Sequence, residues 1–598
     1  MEKTTKSEMA AQKPFYVKGR EQLEGSDEYT QWVGDEFPHR KSIPDISRRD
    51  ILKLMGGSLA LAGLASGCRF LPEQKIVPFV VQPEDTAPGM ARVFASSFSL
   101  SGYAMGILVD SHEGRPTKIE GSPLHWASLG SVNSFALAET FNLYDPDRIK
   151  SPSFKGDPSN WEDFLIDIRN ALAESEEGSL LILTETVGSP TLASSIQRLV
   201  TEKKATWLQY EPVNRDNRRE GAIRAFGQDV EAVYHFDKAK VLVSLDSDFM
   251  QFGPAPVRYA KDLMKARRVE ESESMSRIYA LECFPTLTGA VADHRLPVRA
   301  SQIAALATWI AAELRVPGAS GSAPSGLDAK FLQALISDLR QAGAEGLVVA
   351  GDHQSPEVHA LVHLINHKLG AVGTTVRLTA PVHPKPVNQM AEIKQAADLL
   401  GRGAVKTLLI LGGNPVFTAP SDLKLGELIA KVPFSACLTS HASETAKACH
   451  WQLPESHFLE AWGDAVALDG TVSIVQPLIE PIYDSKSALE VVDALRNKSR
   501  TGLALLQAEY QAKQESMAGY AEVKVPAPAP GETPIESSFD RAWRLALSQG
   551  ILIKGTEGSL PLTPVANAAA AMSGSGSAGD LELVFLPDPT IYDGRYAN

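Results

Sequence analysis

Short apolar runs that alternate with amphipathic stretches constrain the fold of this chain more than any other feature. The runs SLLILTE (179–185), AKVLVSLDSD (239–248) and VKTLLILGGNP (405–415) have the length of a strand and little polar content. Strands are continuously apolar when helices cover both faces of a parallel sheet. The intervening stretches, such as PTLASSIQRLVTE, have the periodicity of amphipathic helices. The pattern predicts an α/β fold with doubly wound parallel sheets.

Changes in composition and pattern divide the chain into five predicted regions. Residues 1–68 form a signal or anchor region, and residues 69–150 form a small β-rich segment. Two α/β domains are predicted at 151–300 and 301–500. Residues 501–598 are predicted as a helical linker and the start of a C-terminal domain that we expect to continue beyond this chain.

Three local signals refine the outer regions. In the β-rich segment, His112–Arg115 has the composition of a hairpin turn between two strands. The Pro/Ala-rich stretch 523–534 is typical of a linker, and residues 538–549 are predicted to be a helix. A last strand is predicted at LELVFLP (581–587).

The paired arginines Arg48 and Arg49 precede an apolar run from Leu54 to Ala65. This run is shorter than the roughly 20 residues that a spanning helix needs. The pattern predicts a variant twin-arginine signal, whose alternative is a buried helix with basic flanks. Small residues precede Cys68, which leaves open whether this cysteine carries a lipid. We therefore expect a peripheral protein on the periplasmic side of the inner membrane.

Charge and cysteine content exclude two classes of function. A net charge of −14 disfavours nucleic-acid binding, which needs clustered Lys and Arg. The 4 cysteines form no closely spaced set, so this chain is not expected to hold an iron–sulfur cubane by itself. A disulfide between Cys437 and Cys449 is left open by the sequence.

The clearest candidate binding loop is Gly412, Gly413 and Asn414, directly after the run TLLIL. Glycines at the carboxyl end of a parallel strand let a phosphate or pterin approach the backbone. The alternative is a tight turn, since Gly and Asn both tolerate left-handed backbone angles. The sequence favours the turn, with any cofactor contact at these residues vestigial.

Histidines offer weaker candidates. His359, His363 and His367 share one face of a predicted helix at 356–369, where they could ligate a metal or form a buried polar seam. His450 and His457 flank LPES without a readable nucleophile, and the chain has no G-x-S-x-G or Walker sequence. We predict no catalytic residue and no metal ligand.

Several phrases in order resemble the molybdopterin oxidoreductase superfamily. The resemblance rests on KIEGSPLHWASLG, LYDPDRIKSP, the loop GGNP, and a late block that contains Thr445-Ala446, Leu453-Pro454, Glu460, Gly463 and Asp469-Gly470. It spans about residues 95–598 and implies the multidomain α/β fold of that superfamily, with a bound molybdopterin as the cofactor of its active members.

The chain departs from that superfamily where the cofactors are held. The stretch SFSLSGYAMG has no cluster cysteines, and no Cys or selenocysteine follows AKVLVSLDSD as a molybdenum ligand. Ser247 or Asp248 could replace it chemically, although nothing in the spacing requires this. We therefore expect no cofactor in this chain, with molybdopterin as the alternative.

A narrower resemblance explains these losses. The long N-terminal region with YTQWVGDEFPHRKS, and the phrases PTLTGAVADHRLPVRASQIAALA and LPESHFLEAWGD, resemble the large peripheral subunits of alternative complex III. That resemblance implies a non-catalytic scaffold in a quinol-oxidising assembly. Its implied partners are a membrane quinol-binding subunit, a multi-haem cytochrome, and an iron–sulfur domain or subunit. A working molybdenum bis-pterin oxidoreductase and a periplasmic small-molecule binding module are the alternatives.

Overall fold

The computed structural model describes residues 89–597 except 175, 271–274, 518–536 and 572–580. The predicted leader with Arg48, Arg49 and Cys68 therefore lies outside the described residues, as does the linker 523–534. None of the helices in the described ranges has the length and apolar character that a bilayer crossing requires.

An antiparallel sheet of three strands comes first. Its strands are β1 (Arg92–Leu100), β2 (Tyr103–His112) and β3 (Arg115–Gly121). The turn between β2 and β3 has positive φ at Glu113 (50°) and Gly114 (83°), as the strands of a tight hairpin require. The hairpin predicted at His112–Arg115 is confirmed.

A seven-stranded sheet, called here the first sheet, contains most of the predicted apolar runs. Its strands are β4 (Ser153–Phe154), β5 (Asp157–Pro158), β6 (Leu180–Thr184), β7 (Thr206–Gln209), β14 (Thr407–Leu411), β15 (Phe434–Thr439) and β16 (Trp451–Pro454). They lie in the order β5-β4-β16-β15-β14-β6-β7, and all neighbours are parallel except those that involve β4 and β5.

Both faces of the first sheet are buried. Leu180 and Ile182 of β6 pack into one hydrophobic cluster, while Leu181 and Leu183 pack into a second cluster. Alternate side chains of a strand point to opposite faces, so two apolar faces give an uninterrupted apolar run. The parallel α/β architecture predicted from these runs is confirmed.

A four-stranded parallel sheet, the second sheet, forms the other large core. Its strands β9 (Val241–Leu245), β10 (Arg277–Glu282), β11 (His294–Pro297) and β12 (Gly346–Ala350) lie in the order β11-β10-β9-β12. Two smaller antiparallel sheets consist of β8 (Glu231–Tyr234) with β13 (Val376–Thr379), and of β17 (Gly463–Val466), β18 (Val472–Val475) and β19 (Ile551–Ile553).

The sheets do not follow the contiguous ranges 151–300 and 301–500. The chain leaves the first sheet after β7, builds the second sheet, and returns at β14, where Leu408 pairs with Leu181 of β6. An apolar run indicates that a strand is buried on both faces but not which strand lies beside it. The sequence therefore located the strands and not their neighbours.

Sixteen helices are described, and they cover the sheets or connect their strands. They are α1 (Ser134–Leu143), α2 (Trp161–Glu174), α3 (Pro190–Lys203), α4 (Asp216–Phe226), α5 (Pro256–Ala266), α6 (Leu287–Ala290), α7 (Ala300–Glu313), α8 (Ala329–Ala342), α9 (Pro356–Leu369), α10 (Gln389–Gly401), α11 (Pro415–Thr418), α12 (Leu425–Ile429), α13 (Glu444–Ala448), α14 (Ala488–Leu495), α15 (Gly502–Gln511) and α16 (Ser538–Gln549).

The predicted strand LELVFLP is wrong. Residues 581–587 belong to no strand of the described sheets, although alternate side chains are exposed as in an edge strand. Leu581, Leu583, Phe585 and Leu586 are exposed. A strand needs a neighbour for its backbone hydrogen bonds, and composition alone cannot supply one.

Candidate functional site

A cavity of about 690 Å³ lies where the carboxyl ends of several parallel strands come together. Its lining includes Thr186 after β6, Glu211 after β7, Asp246 after β9 and Asp352 after β12. Ligands of open α/β sheets bind outside the carboxyl ends of the strands. This cavity is therefore the candidate functional site.

Asp246 sits at the end of β9 in a left-handed backbone conformation with φ of 54°. Its carboxylate accepts the Cys283 N–H at 3.0 Å and the Gln354 side-chain amide at 3.1 Å, and His353 Nε2 lies 2.9 Å away. Burial raises the pKa of Asp246, but the hydrogen bonds from His353 and Cys283 outweigh it and lower the pKa below its usual value. The Asp246 carboxylate is therefore ionised and hydrogen-bonded to its neighbours.

Cys283 is not an activated nucleophile. Its Sγ donates to Asp246 Oδ2 at 3.3 Å. Burial, followed by the charge of Asp246, raises the pKa of the Cys283 thiol to about 12. Cysteine chemistry needs the thiolate, so this group acts as a hydrogen-bond donor.

Ser247 and Asp248, the residues considered as substitute metal ligands, both line the cavity. The Asp248 carboxylate accepts the Thr288 N–H and hydroxyl, each at 3.0 Å, at the start of α6. Ser247 donates its N–H to Ser244 Oγ at 3.2 Å. Within the described ranges, no group of three or more His, Cys, Asp or Glu side chains is arranged to hold a metal.

The cations of the cavity are paired with carboxylates of the chain itself. Arg215 Nη1 donates to Tyr103 Oη at 2.8 Å and to Glu231 at 2.9 Å, and its Nε lies 3.5 Å from Asp352. Arg218 Nη1 lies 3.6 Å from the other oxygen of Asp352. Carboxylates therefore balance the charge of both guanidinium groups, while Arg215 Nε and Nη2 have no hydrogen-bond partner among the described residues.

The candidate loop Gly412, Gly413 and Asn414 has the geometry of a turn. Both glycines have positive φ, 74° and 75°. The Asn414 side chain accepts the Thr445 N–H at 3.1 Å and donates to Glu444 at 2.7 Å, which joins the starts of α11 and α13. The cavity lining reaches Phe417 and Thr418 beyond the loop but not the loop itself. The cofactor role of these residues stays a prediction.

Two of the three aligned histidines form a buried seam. His359 and His363 are 4% and 5% exposed between α9 and its neighbours, whereas His367 is exposed. Burial is the main cause that lowers the pKa of both His359 and His363 to about 3; Asp352 opposes the shift at His359, and Arg218 adds to it at both histidines. Both imidazoles are therefore neutral at physiological pH and serve in packing.

Replacing His363 by glutamine should weaken the acid sensitivity of folding. The unfolded histidine binds a proton near pH 6.5 and the folded one near pH 3, so stability falls as the pH drops through this window. At pH 5 the loss from one such histidine is about 2 kcal/mol. Urea unfolding at pH 7 and pH 5 gives the free energy of unfolding at each pH. The drop between the two values should be smaller for His363→Gln than for the wild type. The control His367→Gln, at an exposed position, should show the same drop as the wild type. The same drop in all three proteins would contradict the claim that burial lowers the pKa of His363.

The other predicted residues lie in separate structural contacts. His450 Nδ1 is 2.9 Å from Ser435 Oγ, and His457 Nε2 is 3.0 Å from Glu139. Cys437 and Cys449 are buried as free thiols, so the disulfide left open by the sequence is absent between them.

Sequence reasoning did not identify the groups that occupy the carboxyl edge of the first sheet. Glu185 follows β6, Glu211 follows β7, and Arg595 binds both, at 3.2 Å and 2.7 Å. Burial raises the pKa of Glu211 to about 7, and Arg595 opposes that rise. In the sequence, Glu185 and Glu211 each follow an apolar run closely, but no local pattern relates either residue to Arg595.

Comparisons with known proteins find similarity to one family. Residues 299–498 match the sequence profile of the family described as molybdopterin oxidoreductase. The chain is 26% identical over 468 residues to the menaquinone reductase, molybdopterin-binding-like subunit of Nitratidesulfovibrio vulgaris (strain Hildenborough), a match that covers 70% of this chain and 67% of that protein. Acetylene hydratase from Pelobacter acetylenicus has a TM-score of 0.48 with 13% identity over 67% of this chain and 69% of that one. The resemblance to the molybdopterin oxidoreductase superfamily is confirmed.

The strand ends offer few free groups to the molybdopterin that the matched family usually binds. A pterin dinucleotide carries a pyrophosphate, which needs free cations or N–H groups. Here Glu185, Glu211 and Asp352 stand at the strand ends, and Arg215 and Arg595 form ion pairs with carboxylates. Among the described residues, Arg215 Nε and Nη2 alone of these donors are buried without a hydrogen-bond partner. The Asp246 carboxylate, after β9, is likewise hydrogen-bonded to groups of the chain itself. No step of chemistry is therefore assigned to a molybdenum centre in this chain.

Proposed function

We propose that this chain, whose residues 299–498 match the molybdopterin oxidoreductase family profile, is a cofactor-free scaffold subunit of a quinol or quinone oxidoreductase. The similarity to a menaquinone reductase subunit supports the quinone part of the proposal. In this role the α/β body positions electron-carrying partners and does not itself exchange electrons with a substrate.

The observation that carries the cofactor-free part is the charge at the strand ends. The carboxylates Glu211 and Asp352 line the cavity where an anionic ligand would bind, Glu185 lies beside Glu211 on Arg595, and Arg215 contacts Asp352. Like charges in a partly buried site repel strongly because the local dielectric is low. An anionic dinucleotide would have to break several ion pairs of the protein to enter.

The partners follow from the sequence resemblance to alternative complex III. We propose a membrane quinol-binding subunit, a multi-haem cytochrome, and an iron–sulfur domain or subunit that carries the clusters this chain lacks the cysteines to hold. The acidic surface implied by a net charge of −14 would favour association with basic partners.

We also propose that the chain works at the periplasmic face of the inner membrane. Arg48 and Arg49 would direct its export in the folded state, and Cys68 is the candidate for a lipid anchor. A peripheral attachment agrees with a chain whose assembly partners span the membrane.

Cell fractionation and purification test the proposal together. A tagged chain should be recovered from the periplasmic face of the membrane with haem, iron–sulfur clusters and quinol-oxidising activity. Changing Arg48 and Arg49 to lysine should retain the chain in the cytoplasm, because lysine lacks the planar guanidinium. Normal export of that variant would contradict the leader assignment. Recovery of the chain without quinol-oxidising partners would contradict the scaffold role.

A further inference from the structure

Residues 588–597, called here the strap, lie against the carboxyl edge of the first sheet. Arg595 Nη2 is 2.7 Å from Glu211 after β7 and 3.2 Å from Glu185 after β6. It also lies 2.6 Å from Asp593 within the strap. One guanidinium therefore joins the ends of two neighbouring strands to a segment almost 400 residues away in sequence (separation 384 from Glu211).

Two tyrosines fix the strap beside Arg595. Tyr592 Oη is 2.7 Å from Ser101 Oγ, and Tyr596 donates to Glu139 at 2.8 Å. Both rings pack on Phe135 of α1, with centroids 5.3 Å and 4.9 Å away. The strap is thus held by aromatic packing and by hydrogen bonds of tyrosine hydroxyls as well as by the ion pairs of Arg595.

The strap also has internal order that presents Arg595. Asp588 and Tyr592 exchange backbone hydrogen bonds of 2.9 Å and 3.0 Å. The Asp588 carboxylate accepts the Thr590 N–H at 2.7 Å and the Ile591 N–H at 3.0 Å. This compact turn reduces the conformational entropy that Arg595 loses when it binds.

The edge that the strap covers needs a cation. The Glu211 side chain is 3% exposed, and Glu185 lies beside it on the next strand. Two carboxylates in a partly buried site are costly unless a positive group pairs with them. Arg595 is that group, and its side chain is 27% exposed at the rim of the edge.

We propose that the strap is a built-in occupant of this edge, with Arg595 taking the position that a ligand takes in other open α/β sheets. The strap then closes the strand ends of β6 and β7 as part of the folded chain and not as a transient contact. The inference rests on the proposed scaffold function and deepens it, because it names the residues that keep the strand ends occupied.

Hydrogen–deuterium exchange of the full chain tests the strap. In the wild type, a peptide that covers 588–597 should be protected. In Arg595→Gln its exchange should be at least about tenfold faster, because hydrogen bonds to charged groups are worth about 1.5–3 kcal/mol. Peptides from α10 should be unchanged. The matched control Arg402→Gln, whose arginine lies 3.5 Å from Asp398 on the surface, should leave the strap protected.

A second variant separates loss of the contact from general misfolding. With Glu211→Gln also present, Arg595→Gln should accelerate exchange by a smaller factor than it does alone, because one of the three carboxylates that lose their partner is already gone. Free exchange of the wild-type strap, or equal exchange in wild type and Arg595→Gln, would overturn the inference. A protected strap in a chain that carries molybdopterin would support the strap and contradict the proposed function, so the two failures are distinguishable.

Discussion

Glutamine in place of Glu460 is expected to lower the free energy of unfolding by about 3–5 kcal/mol, because it leaves a buried guanidinium without its counter-charge. The side chains of Arg148 and Glu460 are 2% and 0% exposed and meet through two contacts, of 2.6 Å and 3.2 Å. The Glu460 carboxylate also accepts the His457 N–H at 2.8 Å and the Ile482 N–H at 2.9 Å. One carboxylate thus joins the segment after α1 to the chain beyond β16.

Chemical unfolding followed by tryptophan fluorescence measures this effect. Asp398→Asn is the matched control, since its partner Arg402 is 62% exposed and Asp398 itself is 70% exposed. Exposed pairs contribute about 0–1 kcal/mol, so the control should differ little from the wild type. A Glu460→Gln protein as stable as the control would show that Arg148 finds another partner, and would contradict the expected role of the pair.

Valine in place of Gly413 is expected to destabilise the chain by about 2–4 kcal/mol, through backbone strain and a collision. Gly413 has φ of 75°, and a Cβ at this position would lie 2.8 Å from Cγ of Glu185. Gly403→Val is the matched control, because Gly403 has φ of 70° with nothing within 4 Å of its Cβ position. The difference between the two variants isolates the contact with Glu185.

The same variant distinguishes a turn from a cofactor loop. If Gly413 serves only the turn, quinol oxidation by the assembled complex should fall in proportion to the amount of subunit, with normal turnover per intact complex. Turnover that collapses in a stable, fully assembled Gly413→Val complex would show that a bound group contacts this loop. We expect the first result, because Glu185 already stands against the glycine.

The strands and several helices were predictable because a buried segment has a recognisable pattern of apolar residues in its own sequence. The predicted helices 356–369 and 538–549 coincide with α9 and α16, whose ends carry clear signals. Pro356 begins α9 and Gly370 ends it with φ of 78°, while Ser537 caps α16. Local residues determine these boundaries, so the sequence is sufficient to place them.

The occupied edge was not predictable for the opposite reason. The contact of Arg595 with Glu211 depends on the return of the chain to the first sheet and on the path of the strap, and neither follows from local periodicity. The failed strand prediction at 581–587 has the same origin, since an apolar alternation forms a strand only where a neighbouring strand exists. Contacts across the fold decided both outcomes.

Molybdenum and pterin content tests the central claim most directly. The native complex should be purified from cells that load a second, known molybdopterin enzyme, which serves as the positive control. Elemental analysis and pterin fluorescence after oxidation should then find the control loaded, and this chain, once separated from its partners, without stoichiometric molybdenum, pterin or iron. A molybdenum atom and a pterin in each copy of the chain would contradict the scaffold account and establish a working molybdenum centre.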